Sequence, residues 1–334
     1  MGLNRVKTST QRTRPKPERT PAADHAEAPG RAVASAFSSV IKDLQPSDRE
    51  FCHARRASTA LRVTLKRHLS IGILEEVRFG SQTKRTGIRG QTDVDMLFVL
   101  DPRGVTRNGT LVSSARVLDR VSRAIARRYA SSKIRRDGHA VAVHFSRSGV
   151  ALDVVPAIPA GKRRSASIYL IPDGRGGWMR TAPKAELRRF RRMNRASQQK
   201  LSRTLQLLKF WKCCRVRRIP VRSYYLELLL TKSGLASGRK SYCSILASVF
   251  QLMASQRGLA LRDPSRRVGG TPMATSRAAQ ERALREIRRA RDHTRSAAAL
   301  CRKGQDKAAA SHLRRVFNGQ FPFVAPETRR MRRP

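Results

Sequence analysis

Apolar residues recur at helical spacing in the first well-patterned stretch of the chain. Across residues 48–76, Phe51, Leu61, Val63, Leu65, Leu69, Ile71 and Leu74 sit among Arg and Lys, with Ser47 placed to cap the start. The spacing predicts an amphipathic helix entering the fold. A Gly-punctuated loop, FGSQTKRTGIRGQT, follows, and then a continuous apolar run over 94–100 that reads as a buried strand stopped by Asp-Pro-Arg-Gly. Residues 113–129 return to helical period. HAVAVHF and VALDVVPAI, joined by a Ser-Gly turn, and the short run SIYLIPD read as further strands.

From Lys184 onward the strand signals vanish. Leu201, Leu205, Leu208 and Trp211 make one apolar stripe, and helical patterning continues over residues 225–230, 245–253, 277–300 and 306–317, with Pro183 and Gly234 as breakers between elements. The pattern therefore predicts an α/β first half and an all-α second half. Residues 1–35 hold Pro, Thr, Ala and Arg with almost no large apolar side chains and read as a disordered basic tail. The predicted organisation is a tail over 1–35, an α/β core with its N-terminal helix over 36–183, a helical domain over 184–320 and a basic C-terminal tail over 321–334.

Composition changes this picture in one respect. Among 334 residues, 71 Lys and Arg face 23 Asp and Glu, a formal charge of +48 carried mostly by Arg, whose planar fork suits phosphate oxygens. Such a surface attracts polyanions. No stretch reaches the roughly 18 to 20 apolar residues of a membrane span, and the N-terminus lacks the apolar segment of a secretory signal, so a cytoplasmic protein without membrane contact is expected. Five cysteines at positions 52, 213, 214, 243 and 301 form no metal-binding spacing and are expected mostly as core residues.

In a chain so poor in acids, the carboxylates on strands are informative. Asp93 and Asp95 flank Val94, and the two-residue period of a strand puts both on one sheet face, where like charges about 6–7 Å apart repel unless a cation shares them. Asp153 is embedded in VALDVVP, where burial without a partner costs several kcal/mol. Gly80-Ser81 precedes this acidic strand by a loop made positive by Lys84, Arg85 and Arg89. Three carboxylates suit two Mg²⁺ ions, or Mn²⁺ in their place, and a Gly-Ser turn opening a helix suits a phosphate. The pairing fits attack of a hydroxyl on a nucleoside triphosphate.

Gly-Ser, eleven residues, Asp-x-Asp and a third Asp on a later strand resemble the DNA polymerase β-like nucleotidyltransferases. The run GSQTKRTGIRGQTDVDML, with LLKFWK, VRSYYLELLL and GGWMRTAP further on, resembles the bacterial cGAS/DncV-like branch, the SMODS-type synthases of CBASS anti-phage systems, over roughly residues 45–275. The resemblance implies a sheet lobe followed by a helical lobe with the active site in the cleft between them. It implies that Asp93, Asp95 and Asp153 ligate metal and that Asp153 helps activate a ribose hydroxyl. Gly80 and Ser81 would hold the donor triphosphate, Lys209 and Ser223 would reach it from the helical lobe, and Tyr224 would stack on a base. The implied substrates are ribonucleoside triphosphates, ATP first and GTP as a further candidate, and the implied product is a cyclic di- or oligonucleotide second messenger. One departure from the family is RDPSRRVGGTP, where Gly269 and Gly270 stand in place of an expected Asn after Asp263-Pro264.

Residues alone leave two other readings. Ser223 could simply cap the following helix, Lys209 could be a surface lysine and Tyr224 a core residue. The basic clusters at 162–164, 188–195 and 285–295 would suit a nucleic-acid binder without catalysis, or an RNA or DNA activator of the enzyme, although aromatics at 5 % offer few stacking platforms. Transfer of a nucleotide to a protein or an RNA end is the third reading.

Overall fold

The computed structural model describes residues 30–91, 94–146, 149–163, 166–262 and 270–324. Asp93, the Asp263-Pro264 loop through Gly269 and the two tails, 1–29 and 325–334, lie outside the described residues.

The chain enters through α1 (Arg31–Asp43) and α2 (Asp48–His68). Ser47 caps α2 as expected, in a reciprocal box: the Glu50 amide donates to Ser47 Oγ at 3.3 Å while the Ser47 amide donates to Glu50 Oε2 at 2.7 Å. Two corrections belong here. Residues 31–35, assigned to the tail from composition, open α1, whose Val33, Phe37, Val40 and Ile41 are buried with the second-half helices rather than with the sheet. The helix expected to reach residue 76 stops at His68, and Ile73–Phe79 forms strand β1. Its apolar spacing fitted both periods, and pairing with the next strand decided between them.

The strands that follow are β2 (Val94–Leu100), β3 (Thr106–Arg107), β4 (Thr110–Leu111), β5 (Lys133–Asp137), β6 (Ala140–His144), β7 (Ala151–Arg163), β8 (Ala166–Pro172) and β9 (Trp178–Thr181). Between them lie the one-turn helix α3 (Gly80–Thr83) and α4 (Ser114–Ala126). Among the described residues, one mixed sheet runs β1-β2-β7-β6-β5, extended by β8 on the far part of β7 and β9 on β8, while β3 and β4 pair as a separate small hairpin. Only β2 and β7 run parallel in that central order.

Alternation divides the central strands between two faces. Val94, Met96, Phe98, Leu152 and Val154 pack with Leu61 and Leu65 of α2 and Val117 and Val121 of α4. The opposite face carries a smaller cluster, Val77, Leu97, Val155 and Tyr169, and ends in the acids.

The second half is helical: α5 (Pro183–Ala196), α6 (Lys200–Cys213), α7 (Ser223–Ser233), α8 (Tyr242–Ser255), α9 (Arg277–Arg302) and α10 (Asp306–Val316), with β10 (Leu261–Arg262) and β11 (Gly270–Thr271) as a two-residue pair. Pro183 opens α5 at its first turn and Gly234 closes α7 at φ 63°, the two punctuating roles read from the sequence. At the lobe junction Tyr169 donates its hydroxyl to Glu75 Oε2 at 2.9 Å, and Lys184 of α5 forms an ion pair with the other oxygen of Glu75. Cys214, Cys243 and Cys301 are buried, while Cys52 is exposed. No described helix is long and apolar enough to cross a membrane.

Candidate active site

The register of the sheet builds the site. Asp95 of β2 pairs with Asp153 of parallel β7, Phe79 of β1 pairs with Asp95, and Ala142 of β6 pairs with Asp153. Paired residues share a face, so Phe79, Asp95, Asp153 and Ala142 form one row in which two half-exposed carboxylates are neighbours. Asp93 lies outside the described residues.

The turn after β1 closes on this row. Gly80 has φ 72°, and a Cβ there would stand 1.6 Å from Asp95 Oδ2 and 2.5 Å from its Cγ. Glycine is demanded twice, by the left-handed backbone and by the carboxylate beneath it. Gly80 and Ser81 are the first two residues of α3. The Ser81 carbonyl accepts the Thr86 amide at 2.9 Å, folding the loop back over the turn.

The helical lobe grips that loop along one face of α6. Gln206 donates to the Gly87 carbonyl at 2.9 Å, Lys209 Nζ to the Thr86 carbonyl at 2.8 Å, and Cys213 Sγ to Gln91 Oε1 at 3.3 Å. Spacings of three and four residues place all three on one side of the helix. From α7, Glu227 receives Lys84 Nζ at 2.5 Å, with the lysine side chain only 7 % exposed.

Burial pushes the Lys209 ammonium down to about 8, against the pull of Glu227 and Asp95. That the Asp95 charge acts on Lys209 places the sheet acid and the helical-lobe lysine in one electrostatic environment. Burial also lowers Lys212, whose Nζ donates to Ser223 Oγ at 3.1 Å. Ser223 is exposed at the first position of α7, with Arg222 as the N-cap residue, so the simple capping reading does not hold. Tyr224 beside it is half-buried.

Asp95, Asp153, Gly80, Ser81 and Lys209 are thus brought together around one turn, whereas Ser223 meets Lys212 rather than Lys209. Sequence reasoning read Lys84 as part of the positive loop without its partner, and missed Thr86, Gln206, Lys212 and Glu227. Glu227 had a usable signal, as an acid within an apolar helix of an acid-poor chain. Thr86 and Gln206 act through the loop's path and Lys212 through the approach of α6 to α7, which local pattern does not encode.

The donor set suits a hard cation. Two adjacent carboxylates beside a glycine turn match the one or two protein carboxylates by which Mg²⁺ is usually held together with substrate phosphates. Among the described residues no three His, Cys, Asp or Glu stand together.

The family model described as the Second Messenger Oligonucleotide or Dinucleotide Synthetase domain matches residues 32–194. Those residues are similar to a SMODS-type domain, and they contain Gly80, Ser81, all three acids and the strands of the sheet. A probable cyclic nucleotide synthase of Bacillus cereus strain VD146 is 28 % identical over 180 residues, covering 46 % of this chain and 54 % of that protein. The chain therefore spans about half the length of the curated relative it matches.

Structural likeness reaches further than the span matched by the family model. E. coli MS115-1 CdnC, solved with ATP, superposes at TM-score 0.65 and 17 % identity over 86 % of this chain and 98 % of that one. Bradyrhizobium diazoefficiens CdnG, in complex with GTP, gives TM-score 0.60 and 14 % identity over 85 % and 97 %. Both share the sheet lobe and helical lobe, which is the fold expected from the cGAS/DncV-like resemblance.

Proposed function

We propose that this chain is a template-independent nucleotidyltransferase that joins ribonucleoside triphosphates into a cyclic di- or oligonucleotide, a second messenger of anti-phage signalling. The observation that carries the reading is the Asp95–Asp153 pair in register across parallel strands, with the Gly80-Ser81 turn closed against it. The similarity to a SMODS-type domain and the likeness to proteins solved with ATP and GTP support nucleoside triphosphates as substrates.

Bound Mg²⁺, held by Asp93, Asp95 and Asp153, would supply the positive charge that offsets the triphosphate. Ser81 and the first amides of α3 would orient the donor phosphates. Lys209, Lys212 and Ser223 would meet the same anion from the helical lobe, and Tyr224 would stack on a base. Asp153 would accept the proton of the attacking ribose hydroxyl as its oxygen bonds to the α-phosphorus. The bond between that phosphorus and the bridging oxygen breaks, and pyrophosphate leaves.

Incubation with labelled NTPs and Mg²⁺ or Mn²⁺ tests the reading. A phosphatase-resistant product is expected, lost in Asp95→Asn and Asp153→Asn variants that keep their thermal melting. Mass spectrometry separates a free cyclic product from nucleotide attached to a macromolecule. Added RNA or DNA tests the basic clusters as an activator surface, since counterion release makes such an effect fade with salt. No product under any of these conditions would overturn the proposal.

A further inference from the structure

A second concave, cationic surface lies away from the acids, along the seam of the α9–α10 hairpin. It encloses about 670 Å³, and its walls include Arg289 and His293 of α9, Lys307, Arg314 and Arg315 of α10, and Phe323 beyond it. No Asp or Glu lines it among the described residues. Asp292 pairs with Arg291 at 2.8 Å, Asp306 accepts the amides of Ala32 and Val33, and Glu286 is shared between Arg215 at 3.4 Å and Arg289 at 3.7 Å. Lys307, Arg314 and Arg315 face the same hollow as Arg289, and the mutual repulsion of these cations is a cost that an anion would remove.

Two histidines meet at the seam. His293 Nδ1 and His312 Nδ1 are 3.2 Å apart, so one ring donates and the other accepts. His293 is held below its ordinary range by burial, then by His312, Arg315 and Arg289, with Asp292 acting the other way; His312 is lowered by burial and Arg315. The neutral pair is therefore a proton acceptor waiting for negative charge.

The walls are ordered before any ligand arrives. The Arg314 guanidinium donates to the Phe321 carbonyl at 2.7 Å and lies 3.5 Å from the Phe323 ring centroid. Asn318, also in the wall, donates to the Cys214 carbonyl at 3.0 Å, at the end of α6. A fixed fork loses little freedom on binding. Phe323 itself is 80 % exposed, one of few large apolar side chains left open, and presents a flat face beside the cations. Cations for a phosphate and an aromatic face for a base are the two halves of nucleotide recognition.

We propose that the hollow between α9 and α10 is a second ligand site, for a nucleotide carrying a phosphate monoester, distinct from the acid-bearing cleft. The phosphate meets Arg289, Arg315 and Lys307, the base lies against Phe323, and binding near neutral pH brings a proton onto the His293–His312 pair.

Calorimetric titration of the full chain with AMP tests it, with a non-hydrolysable ATP analogue and Mg²⁺ present in excess to occupy the cleft. Saturable AMP binding is expected, weakened at least tenfold in Arg289→Ala/Arg315→Ala. Phe323→Ala should weaken AMP but leave inorganic phosphate unchanged. Repeating the titration in two buffers of different ionisation enthalpy should reveal proton uptake, absent in His293→Asn/His312→Asn. Unchanged AMP affinity in the double Arg variant overturns the site, and phosphate binding as tightly as AMP overturns its assignment to a nucleotide. Thermal melting of each variant shows that it is folded, and all four side chains replaced in the double variants are at least partly open to solvent.

Discussion

Lys84, on the loop that follows the glycine turn, reaches from the sheet lobe to Glu227 of α7 and pairs with it at 2.5 Å in a largely dry setting. The contact joins the sheet lobe to the helical lobe and so fixes the position of the loop between them. Removing one partner of such a pair strands a charge, which costs about 3 kcal/mol or more, whereas removing both can be nearly neutral. Glu227→Gln should therefore lower the denaturation midpoint strongly, and Lys84→Met/Glu227→Leu should recover most of that loss. Chemical denaturation checks the stability. If the pair also positions the donor loop, the double variant should bind nucleoside triphosphates more weakly than wild type although it is stable.

Gly80→Ala places a methyl group on the Asp95 carboxylate and forces a left-handed backbone on a residue that disfavours it. The expected loss is about 1–3 kcal/mol of stability from strain, with turnover reduced far more than the fraction of folded protein. Product formation per folded molecule, with folding followed by circular dichroism, separates the two effects.

Lys209 titrates near 8 in the folded protein, below its ordinary 10.5, with burial as the main cause. The unfolded chain then holds the extra proton between those two values, so the burial penalty acts below pH about 8 and is relieved as pH rises toward the unfolded value. Anion binding should change in the opposite direction. The apparent KM for a nucleoside triphosphate is expected to rise as pH passes about 8, and Lys209→Arg, which stays charged, should flatten that rise. A KM profile unaffected by the Arg variant would remove Lys209 from phosphate contact.

His293 and His312 both have lowered proton affinity in the folded state. Folded protein binds fewer protons than unfolded protein as pH falls through the ordinary imidazole range near 6.5, so the pair costs nothing above that range and destabilises the fold below it. Thermal melting should drop between pH 7 and pH 5, and His293→Asn/His312→Asn should reduce the drop. The lowered carboxylates Glu50 and Glu75 act only further down, below their ordinary 4.5.

Much of this molecule was legible in the order of its residues. Hydrophobic period separated an α/β half from a helical half because burial on one face of an element is a local, repeating demand. Pro183 and Gly234 marked helix ends through backbone geometry that no neighbour can override. Asp95 and Asp153 stood out because an acid inside an apolar strand needs a partner wherever it is buried, and Gly80-Ser81 because a tight approach to an anion needs glycine. Pairing decided the rest. β1 became a strand only because β2 offered it hydrogen bonds, and α1 joined the helical lobe because its apolar stripe is buried in that lobe's core, with Phe37 against Tyr242 and Phe321. The clamp of Gln206, Lys209 and Cys213 on the loop, the Lys84–Glu227 pair and the meeting of His293 with His312 join residues from 19 to 143 positions apart. Sequence fixes what each of those side chains can do, but which of them meet depends on how two lobes and a helical hairpin close on one another, and only the tertiary structure holds that information.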